Sequence, residues 1–234
     1  MTAQQPRAGH IAVLIIDDHP IVRESLSRII AAQSDMRVAG AVGSRKEAYE
    51  VVATANPDVV VIDVALADAH GLDLVRDFRT QFEDIRFVVF SMYDERLYAE
   101  RAIQNGAHGY VMKSQPTELL LQAIRLAATN DYFVSKPVLS RILRKMGPGS
   151  SVSDAASPIT SLTDRELEVY QLIGQGQDAS TIADRLSLSR KTVETYRRRI
   201  KEKLELESLT ALMQHAMRWT DSQSSRAIED RAPE

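Results

Sequence analysis

Five short apolar runs in the first half of the chain constrain its fold more than any other feature. Each run is followed by a stretch with helical periodicity. Short apolar strands that alternate with helices are typical of a parallel sheet covered on both faces. The predicted strands are 12–16, 37–42, 59–62, 87–90 and 109–112, and the predicted helices are 21–32, one opening after Ser44, 71–81, 95–105 and 117–128. The sequence therefore predicts an α/β domain with a five-stranded parallel sheet and five helices.

The pattern changes after Tyr132. A short helical pattern is followed by residues 147–158, which are rich in glycine, serine and proline and predict a flexible linker. From Leu162 onward only helical patterns remain, which predicts an all-α domain of four helices. These helices are expected at 164–174, 179–186, 190–204 and 208–219. We predict domains at 10–133 and 161–220, a linker at 134–160 and a disordered tail at 221–234.

Composition excludes several classes of protein. The chain has no cysteine, which excludes disulfides, thiolate zinc sites and a cysteine nucleophile, and fits a reducing compartment. No run reaches the roughly 18 apolar residues that span a bilayer, and the N-terminus lacks the apolar core of a signal peptide. We expect a cytoplasmic protein without a membrane partner. The acidic first half and the more basic remainder suggest two domains with different partners.

Polar side chains follow four of the five predicted strands. Asp17 and Asp18 come after the first strand, Asp63 ends the third, Ser91 ends the fourth and Lys113 ends the fifth. Because the carboxyl ends of parallel strands share one edge of a sheet, we expect these groups to converge. Each aspartate alone could equally be a turn or cap residue, but the ordered set favours a functional site.

The chemistry of this set points to phosphoryl transfer. Three neighbouring carboxylates repel one another unless a cation joins them, and Mg²⁺ prefers oxygen ligands and keeps waters that a phosphate can replace. Ser91 and Lys113 would supply a hydrogen bond and a positive charge for a phosphoryl group. His19 lies beside the acids, but we assign it no chemical role, and the five histidines show no pair at metal-ligand spacing.

A basic segment at 190–203 predicts a helix with two different faces. One face holds Lys191, Glu194, Thr195 and Arg198, and the opposite side holds Val193, Ile200 and Leu204. A polar, cationic face opposite a core face suits a helix that enters the major groove of DNA. With the preceding helix it forms a helix-turn-helix pattern. A charged helix that is simply solvated would show the same charge run.

The first domain resembles the receiver domain of response regulators. The segments IIDDHPIVRESL, PDVVVIDVALADAHGLDL, VVFSMYDE and GAHGYVMK carry this resemblance, which covers residues 11 to about 130. It implies a flavodoxin-like sheet. It also implies that Asp63 is the phosphoacceptor and that Ser91 and Lys113 bind the phosphoryl oxygens. Asp18, Asp63 and the backbone carbonyl of Ala65 would hold Mg²⁺, with assistance from Asp17. Tyr110 would act as an aromatic switch that turns inward together with Ser91; alone, Tyr110 could be a half-buried sheet residue.

The chain departs from the receiver pattern at two positions. Ala67, followed by Asp68, stands where the family usually has proline, which predicts a looser loop after Asp63. Lys113 is followed by Ser114 instead of a proline in a cis bond, and a cis bond before a non-proline residue costs roughly 3 kcal/mol. Neither departure removes a chemical group from the site.

The second domain resembles LuxR-type DNA-binding domains over about 161–220. The run LTDRELEVYQLIGQGQDASTIADRLSLSRKTVETYRRRIKEKLELES carries this resemblance. It implies that Glu194, Thr195 and Arg198 face base edges. Lys191, Tyr196, Arg197 and Arg199 would meet phosphates. The departures are Ala179, where relatives often have asparagine, and Glu205, where relatives usually have a glycine that suits a left-handed turn.

Together, the two domains resemble the NarL/FixJ family of two-component response regulators. The resemblance implies a DNA-binding transcriptional regulator that a sensor histidine kinase phosphorylates at Asp63, favouring a homodimer on double-stranded promoter DNA. It implies no enzyme activity beyond self-phosphorylation and self-dephosphorylation.

Three rival functions are weighed against this one. A haloacid-dehalogenase-type phosphatase would need an acidic residue at position 65, where this chain has alanine. A DNA-binding regulator that acts without phosphorylation is disfavoured by the intact set of Asp63, Ser91 and Lys113. An RNA-binding output domain would be a different helical bundle, without the basic helix at 190–203.

Overall fold

A computed structural model describes residues 9–146 and 158–229 of the chain. The chain divides into two compact units, Met1–Ser150 and Ser151–Glu234. The predicted linker segment 147–157 and residues 230–234 lie outside the described residues. None of the described helices combines the length and apolar character that crossing a bilayer requires.

The first unit contains the predicted parallel sheet. Its strands are β1 (Ile11–Ile16), β2 (Met36–Val42), β3 (Val59–Ile62), β4 (Arg86–Ser91) and β5 (Gly109–Met112). They lie in the order β2-β1-β3-β4-β5, and every neighbouring pair is parallel. Strands β1 and β3 are buried along nearly their whole length, as expected for a sheet with helices on both faces.

Five helices surround the sheet, as the sequence predicts. They are α1 (Pro20–Ala31), α2 (Arg45–Ala55), α3 (Gly71–Gln81), α4 (Glu95–Asn105) and α5 (Thr117–Ala128). Ser44 caps α2 by accepting a hydrogen bond from the backbone N–H of Glu47. Gly106 ends α4 in the left-handed conformation, with φ of 104°, which glycine adopts without steric strain.

A sixth helix, α6 (Lys136–Met146), follows the sheet and lies within the segment predicted as linker. It packs against α4. Val138 is buried, and Arg141 Nε lies 3.7 Å from Glu100 Oε2. The amino-terminal part of this segment is therefore ordered against the first unit.

The second unit is helical. A short 3₁₀ helix (Pro158–Ser161) precedes α7 (Asp164–Gly174), α8 (Ala179–Arg185), α9 (Arg190–Lys203) and α10 (Leu209–Glu229). Thr163 and Glu166 form a capping box at the start of α7. The sequence pattern predicts that the last helix ends at 219 and that a disordered tail follows. Instead α10 continues through 221–229, a stretch that contains neither glycine nor proline.

Candidate functional site

The acidic site forms at the carboxyl edge of the sheet. Asp17, Asp63 and Ser91 are almost completely buried there. Lys113 Nζ lies 2.6 Å from Asp17 Oδ2 and 2.6 Å from Asp63 Oδ2. The strand order explains the convergence, since β1 and β3 are neighbours and β4 and β5 follow on the same side. One ammonium group thus bridges two carboxylates that come from different strands.

Backbone hydrogen bonds extend the sheet pairing into the site. The N–H of Asp17 donates to the carbonyl oxygen of Val42 at 3.1 Å, and that of Asp63 donates to Ile16 at 2.9 Å. The N–H of Lys113 donates to the carbonyl oxygen of Ser91 at 2.7 Å. The backbone of these site residues therefore continues the hydrogen bonding of the sheet.

The second carboxylate oxygen of Asp63 suits a cation. Asp63 Oδ1 is buried and has no hydrogen-bond partner among the described residues. Asp17, Asp18, His19 and Asp63 offer ligand atoms that lie within 4.8 Å of one another. A buried, unpaired anionic oxygen beside further carboxylates is unfavourable unless a cation approaches it. Three carboxylates match the oxygen preference of Mg²⁺, so the residues present fit that ion.

His19 joins this cluster, although the sequence pattern predicts no chemical role for it. Its Nδ1 lies 2.7 Å from Asp18 Oδ1 and 3.3 Å from Asp17 Oδ1, while its side chain is mostly exposed. Its backbone N–H also donates to Asp17 Oδ1 at 2.9 Å. The signal in the sequence was only its position directly after the two aspartates.

The pKa values of Asp63 and Lys113 are both raised, although burial and the charge of the partner act in opposite directions on each group. Burial raises the pKa of Asp63, and the positive charge of Lys113 offsets only part of this effect. For Lys113, burial alone would lower the pKa, but the charge of Asp63 and hydrogen bonds to Asp17 and Asp63 outweigh it and raise the pKa. Lys113 therefore remains protonated beside the acids at neutral pH.

The loop after Asp63 is held at both ends. A Cβ atom at Gly71 would lie 1.9 Å from the backbone oxygen of Asp63, so only glycine lets α3 begin here. Ala65 forms an isolated antiparallel bridge with His70. Asp68 Oδ2 accepts a hydrogen bond from the N–H of Arg45 at 2.9 Å. Asp68 thus connects this loop to the start of α2. The looser loop expected from the absence of proline at Ala67 stays a prediction.

The predicted switch residue Tyr110 lies inside the domain. It is 1% exposed, and its hydroxyl donates to the backbone oxygen of Tyr93 at 2.8 Å. The N–H of Tyr93 donates to Ser91 Oγ at 3.3 Å. Burial raises the pKa of Tyr110 well above its ordinary value, which keeps the hydroxyl a donor. No cis peptide bond occurs among the described residues, so the bond between Lys113 and Ser114 is trans.

Helix α9 presents the predicted exposed and core faces. Val193, Ile200 and Leu204 are buried, which confirms the predicted core side. Of the residues expected to meet DNA, Lys191, Glu194, Arg198 and Arg199 are exposed, and Thr195 and Tyr196 are half-buried.

Both ends of α9 are fixed by side chains. Ser189 caps the helix by accepting a hydrogen bond from the N–H of Thr192 at 3.0 Å. Buried Glu166 of α7 pairs with Lys203 at 2.6 Å and anchors the other end of α9.

The expectation that Arg197 meets a DNA phosphate is corrected. Arg197 is only 8% exposed and pairs with Glu194 on the same helix. Its position is four residues after Val193 and three before Ile200, so helical periodicity places it on the packed side. Helical spacing in the sequence thus indicates a buried position for Arg197, whereas the charge of arginine alone favours a surface position.

Two family models match the chain. The response regulator receiver domain matches residues 13–125. The luxR family of bacterial regulatory proteins matches residues 160–216. These matches cover the two units separately, with the acidic site in the first and α9 in the second.

Curated relatives and solved structures match most of the chain. The oxygen regulatory protein NreC of Staphylococcus carnosus (strain TM300) is 31% identical over 209 residues, covering 88% of this chain and 96% of the relative. A LuxR-family two-component response regulator from Aurantimonas sp. SI85-9A1 is 30% identical, with a TM-score of 0.54, covering 59% of this chain and 99% of that one. RcsB from Salmonella enterica serovar Typhimurium, bound to promoter rprA with the phosphomimetic BeF3−, is 22% identical with a TM-score of 0.59. That match covers 89% of this chain and 99% of RcsB and shows the shared fold.

Proposed function

The chain belongs to the NarL/FixJ family of two-component response regulators, and we propose that phosphorylation of Asp63 controls its binding to promoter DNA. The observation that carries this proposal is the contact of Lys113 Nζ with Asp63 Oδ2 at 2.6 Å, beside a buried Asp63 Oδ1 that has no described partner. Asp63 Oδ2 thus contacts the Lys113 ammonium group, and Asp63 Oδ1 is available to bind a metal ion or to attack an electrophile. This is a suitable arrangement for a nucleophilic carboxylate.

The proposed reaction is transfer of a phosphoryl group from a phosphohistidine of a sensor kinase. An Asp63 oxygen forms a bond to phosphorus while the phosphorus–nitrogen bond breaks, and the imidazole leaves with its electron pair. Lys113 and Ser91 bind the phosphoryl oxygens. Asp18, Asp63 and the Ala65 carbonyl, assisted by Asp17, would hold Mg²⁺, which when bound neutralises negative charge on the phosphoryl group. Self-phosphorylation and self-dephosphorylation at Asp63 are the only chemical reactions we assign to the chain.

Phosphorylation would be transmitted through Ser91 and Tyr110. A phosphoryl group on Asp63 offers acceptor oxygens to the Ser91 hydroxyl. Ser91 Oγ accepts from Tyr93, whose carbonyl oxygen in turn holds Tyr110. The acceptor site and the switch tyrosine are therefore connected by two hydrogen bonds.

On DNA, we propose that α9 enters the major groove. Glu194, Thr195 and Arg198 would face base edges, with arginine recognising guanine and glutamate accepting from cytosine. Lys191, Tyr196 and Arg199 would meet phosphates. Two copies would bind paired half-sites, as helix-turn-helix domains commonly do.

The inward position of Tyr110 favours a second candidate function, a DNA-binding regulator that acts without phosphorylation. If the buried switch position is the resting one, the chain could bind its promoters constitutively. Titration of a promoter duplex before and after treatment with acetyl phosphate and Mg²⁺ separates the two candidates. The main proposal expects phosphorylation to raise the affinity of the unchanged chain at least about tenfold, or ~1.4 kcal/mol.

Two variants sharpen this experiment. Asp63→Asn should not respond to acetyl phosphate. The matched control Asp84→Asn, at an exposed aspartate before the amino end of β4, should respond like the unchanged chain. Equal affinity of the treated and untreated chain would support the second candidate and contradict the first.

The DNA contacts can be tested by selection of binding sites from random duplexes. Arg198→Ala should lose about 1–3 kcal/mol of preference at one base position. Arg199→Ala should weaken all sequences alike and lower the salt dependence by about one unit of slope. Unchanged sequence preference in Arg198→Ala would contradict the orientation proposed for α9.

A further inference from the structure

Helix α9 carries an arginine at a position that packing alone would give to an apolar side chain. Arg197 lies on the same buried stripe as Val193 and Ile200 and is 8% exposed. Its Nε is buried and has no hydrogen-bond partner among the described residues. A buried donor left unpaired is destabilising, and apolar residues can often replace buried charges without loss of stability. The arginine therefore contributes something other than packing.

The partner of Arg197 indicates what that contribution is. Its Nη1 lies 3.1 Å from Oε1 of Glu194, one helical turn earlier. The arginine side chain is 10% exposed, whereas the glutamate side chain is 50% exposed. The ion pair thus has one member fixed in the packed interior of the domain and the other at the surface of α9.

This geometry would lower two energetic costs of placing a glutamate against DNA, namely charge repulsion and loss of side-chain entropy. DNA phosphates repel a carboxylate, and a nearby guanidinium offsets that charge without occupying the groove. A glutamate side chain also loses rotamer freedom when it binds, and a partner that already restrains it lowers this penalty. A carboxylate can accept several hydrogen bonds, so pairing with Arg197 leaves acceptor sites for a base.

We infer that Arg197 is a positioning residue for DNA specificity: it fixes Glu194 from beneath, so that Glu194 reads one base, while Arg197 itself touches neither base nor phosphate. This inference rests on the proposed function, because it assumes that α9 binds DNA through its exposed face. The chemical group recognised is an amino donor on a base edge, as presented by cytosine in the major groove.

The test compares Arg197→Met, Glu194→Ala and the double variant in the full-length chain treated with acetyl phosphate and Mg²⁺. Selection from random duplexes should show that both single variants lose preference at the same base position, by at least about fivefold. The double variant should be no less specific than Glu194→Ala, since the two residues act as one unit. Arg197→Lys, which retains a cation, should restore part of the preference.

The salt dependence of binding distinguishes this role from a phosphate contact. The inference expects the salt slope of Arg197→Met to equal that of the unchanged chain. A uniform loss of affinity with the slope lowered by about one would overturn it in favour of a phosphate contact. Unchanged specificity in a folded Arg197→Met chain would overturn it as well.

Two controls keep the result interpretable. Circular dichroism and thermal unfolding show whether Arg197→Met folds, and Arg197→Gln replaces it if it does not, with the same expected loss of preference. If the unchanged chain binds specific sequences and the Arg197 variants keep full specificity, only this inference is contradicted. Absence of specific binding by the unchanged chain contradicts the proposed function, and the inference with it.

Discussion

The hydroxyl of Tyr110 donates a hydrogen bond to the backbone carbonyl oxygen of Tyr93, at a distance of 2.8 Å. Tyr93 in turn donates its N–H to Ser91 Oγ and stacks its ring on buried Tyr98 of α4, with centroids 4.8 Å apart. The segment after Ser91 therefore contacts both the switch tyrosine and a helix of the domain surface. A change at Ser91 would be transmitted to α4 through this segment.

Removal of the Tyr110 hydroxyl should weaken the switch without blocking phosphorylation. Tyr110→Phe keeps the buried ring but loses a hydrogen bond that contributes about 1 kcal/mol. We expect normal phosphoryl uptake and a smaller gain in DNA affinity on phosphorylation, measured by duplex titration. Tyr132→Phe, at an exposed tyrosine, is the matched control and should retain the full gain. If Tyr110→Phe showed the full gain in DNA affinity on phosphorylation, the Tyr110 hydroxyl would have no role in the switch.

The phosphorylated state should be long-lived. Water must attack the aspartyl phosphate in line, and side chains beside that path influence the rate. Ala65 offers no polar group, and the ring of Tyr93 is stacked on Tyr98. We expect slow loss of phosphoryl label from purified protein with Mg²⁺ and faster loss in Ala65→Asn with Tyr93→Glu. A lifetime of seconds in the unchanged chain, or no acceleration in the double variant, would count against this account.

Glu205 is a site where a single substitution should stabilise the second unit. It follows α9 with φ of 53°, a left-handed conformation that is strained for residues with a Cβ atom. Glu205→Gly should raise the free energy of unfolding by about 0.5–1 kcal/mol, measured by chemical denaturation. Glu207→Gly provides the control, because Glu207 is exposed without positive φ and glycine there should not stabilise. Equal effects of the two substitutions would show that strain at Glu205 is insignificant.

His108 should make the first unit sensitive to acid. Burial, with a smaller effect from the charge of Arg86, lowers the pKa of His108 to about 4. Because the unfolded chain binds this proton near pH 6.5, stability is lost as pH falls from 6.5 toward 4. His108→Phe should remove roughly 1 kcal/mol of that loss, after allowance for solvent screening of the partly exposed ring. Denaturant unfolding of both proteins at pH 7 and pH 4.5 measures this difference in acid sensitivity.

Much of the fold and of the acidic site could be predicted from sequence because the signals were local and redundant. Strands β1 and β3 are apolar throughout, and the other strands have apolar centres, so their positions are visible without knowledge of their partners. Asp63 and Lys113 were predicted to meet because parallel strands end at one edge, and the structure brings them to 2.6 Å. Val193 and Ile200 were predicted as core by helical spacing, and both are buried.

The remaining features depend on long-range contacts or on conflicting signals. Asp68 binds the N–H of Arg45, which is distant in sequence, so the tethered loop could not be predicted. At Arg197, charge suggested a surface position and periodicity suggested a buried one, and periodicity prevailed. The helix over 221–229 has a polar sequence, which resembled a disordered tail although no residue in it stops a helix.

Direct identification of the phosphorylated residue tests the central claim. Purified protein incubated with acetyl phosphate and Mg²⁺ is separated on a phosphate-affinity gel, and the modified peptide is located by mass spectrometry. We predict a single phosphoryl group on Asp63, reduced uptake when Mg²⁺ is chelated, normal uptake in Asp84→Asn and none in Asp63→Asn, whose amide is a poor nucleophile but nearly isosteric. A phosphoryl group on another residue of the unchanged chain, or normal uptake by folded Asp63→Asn, would contradict the account.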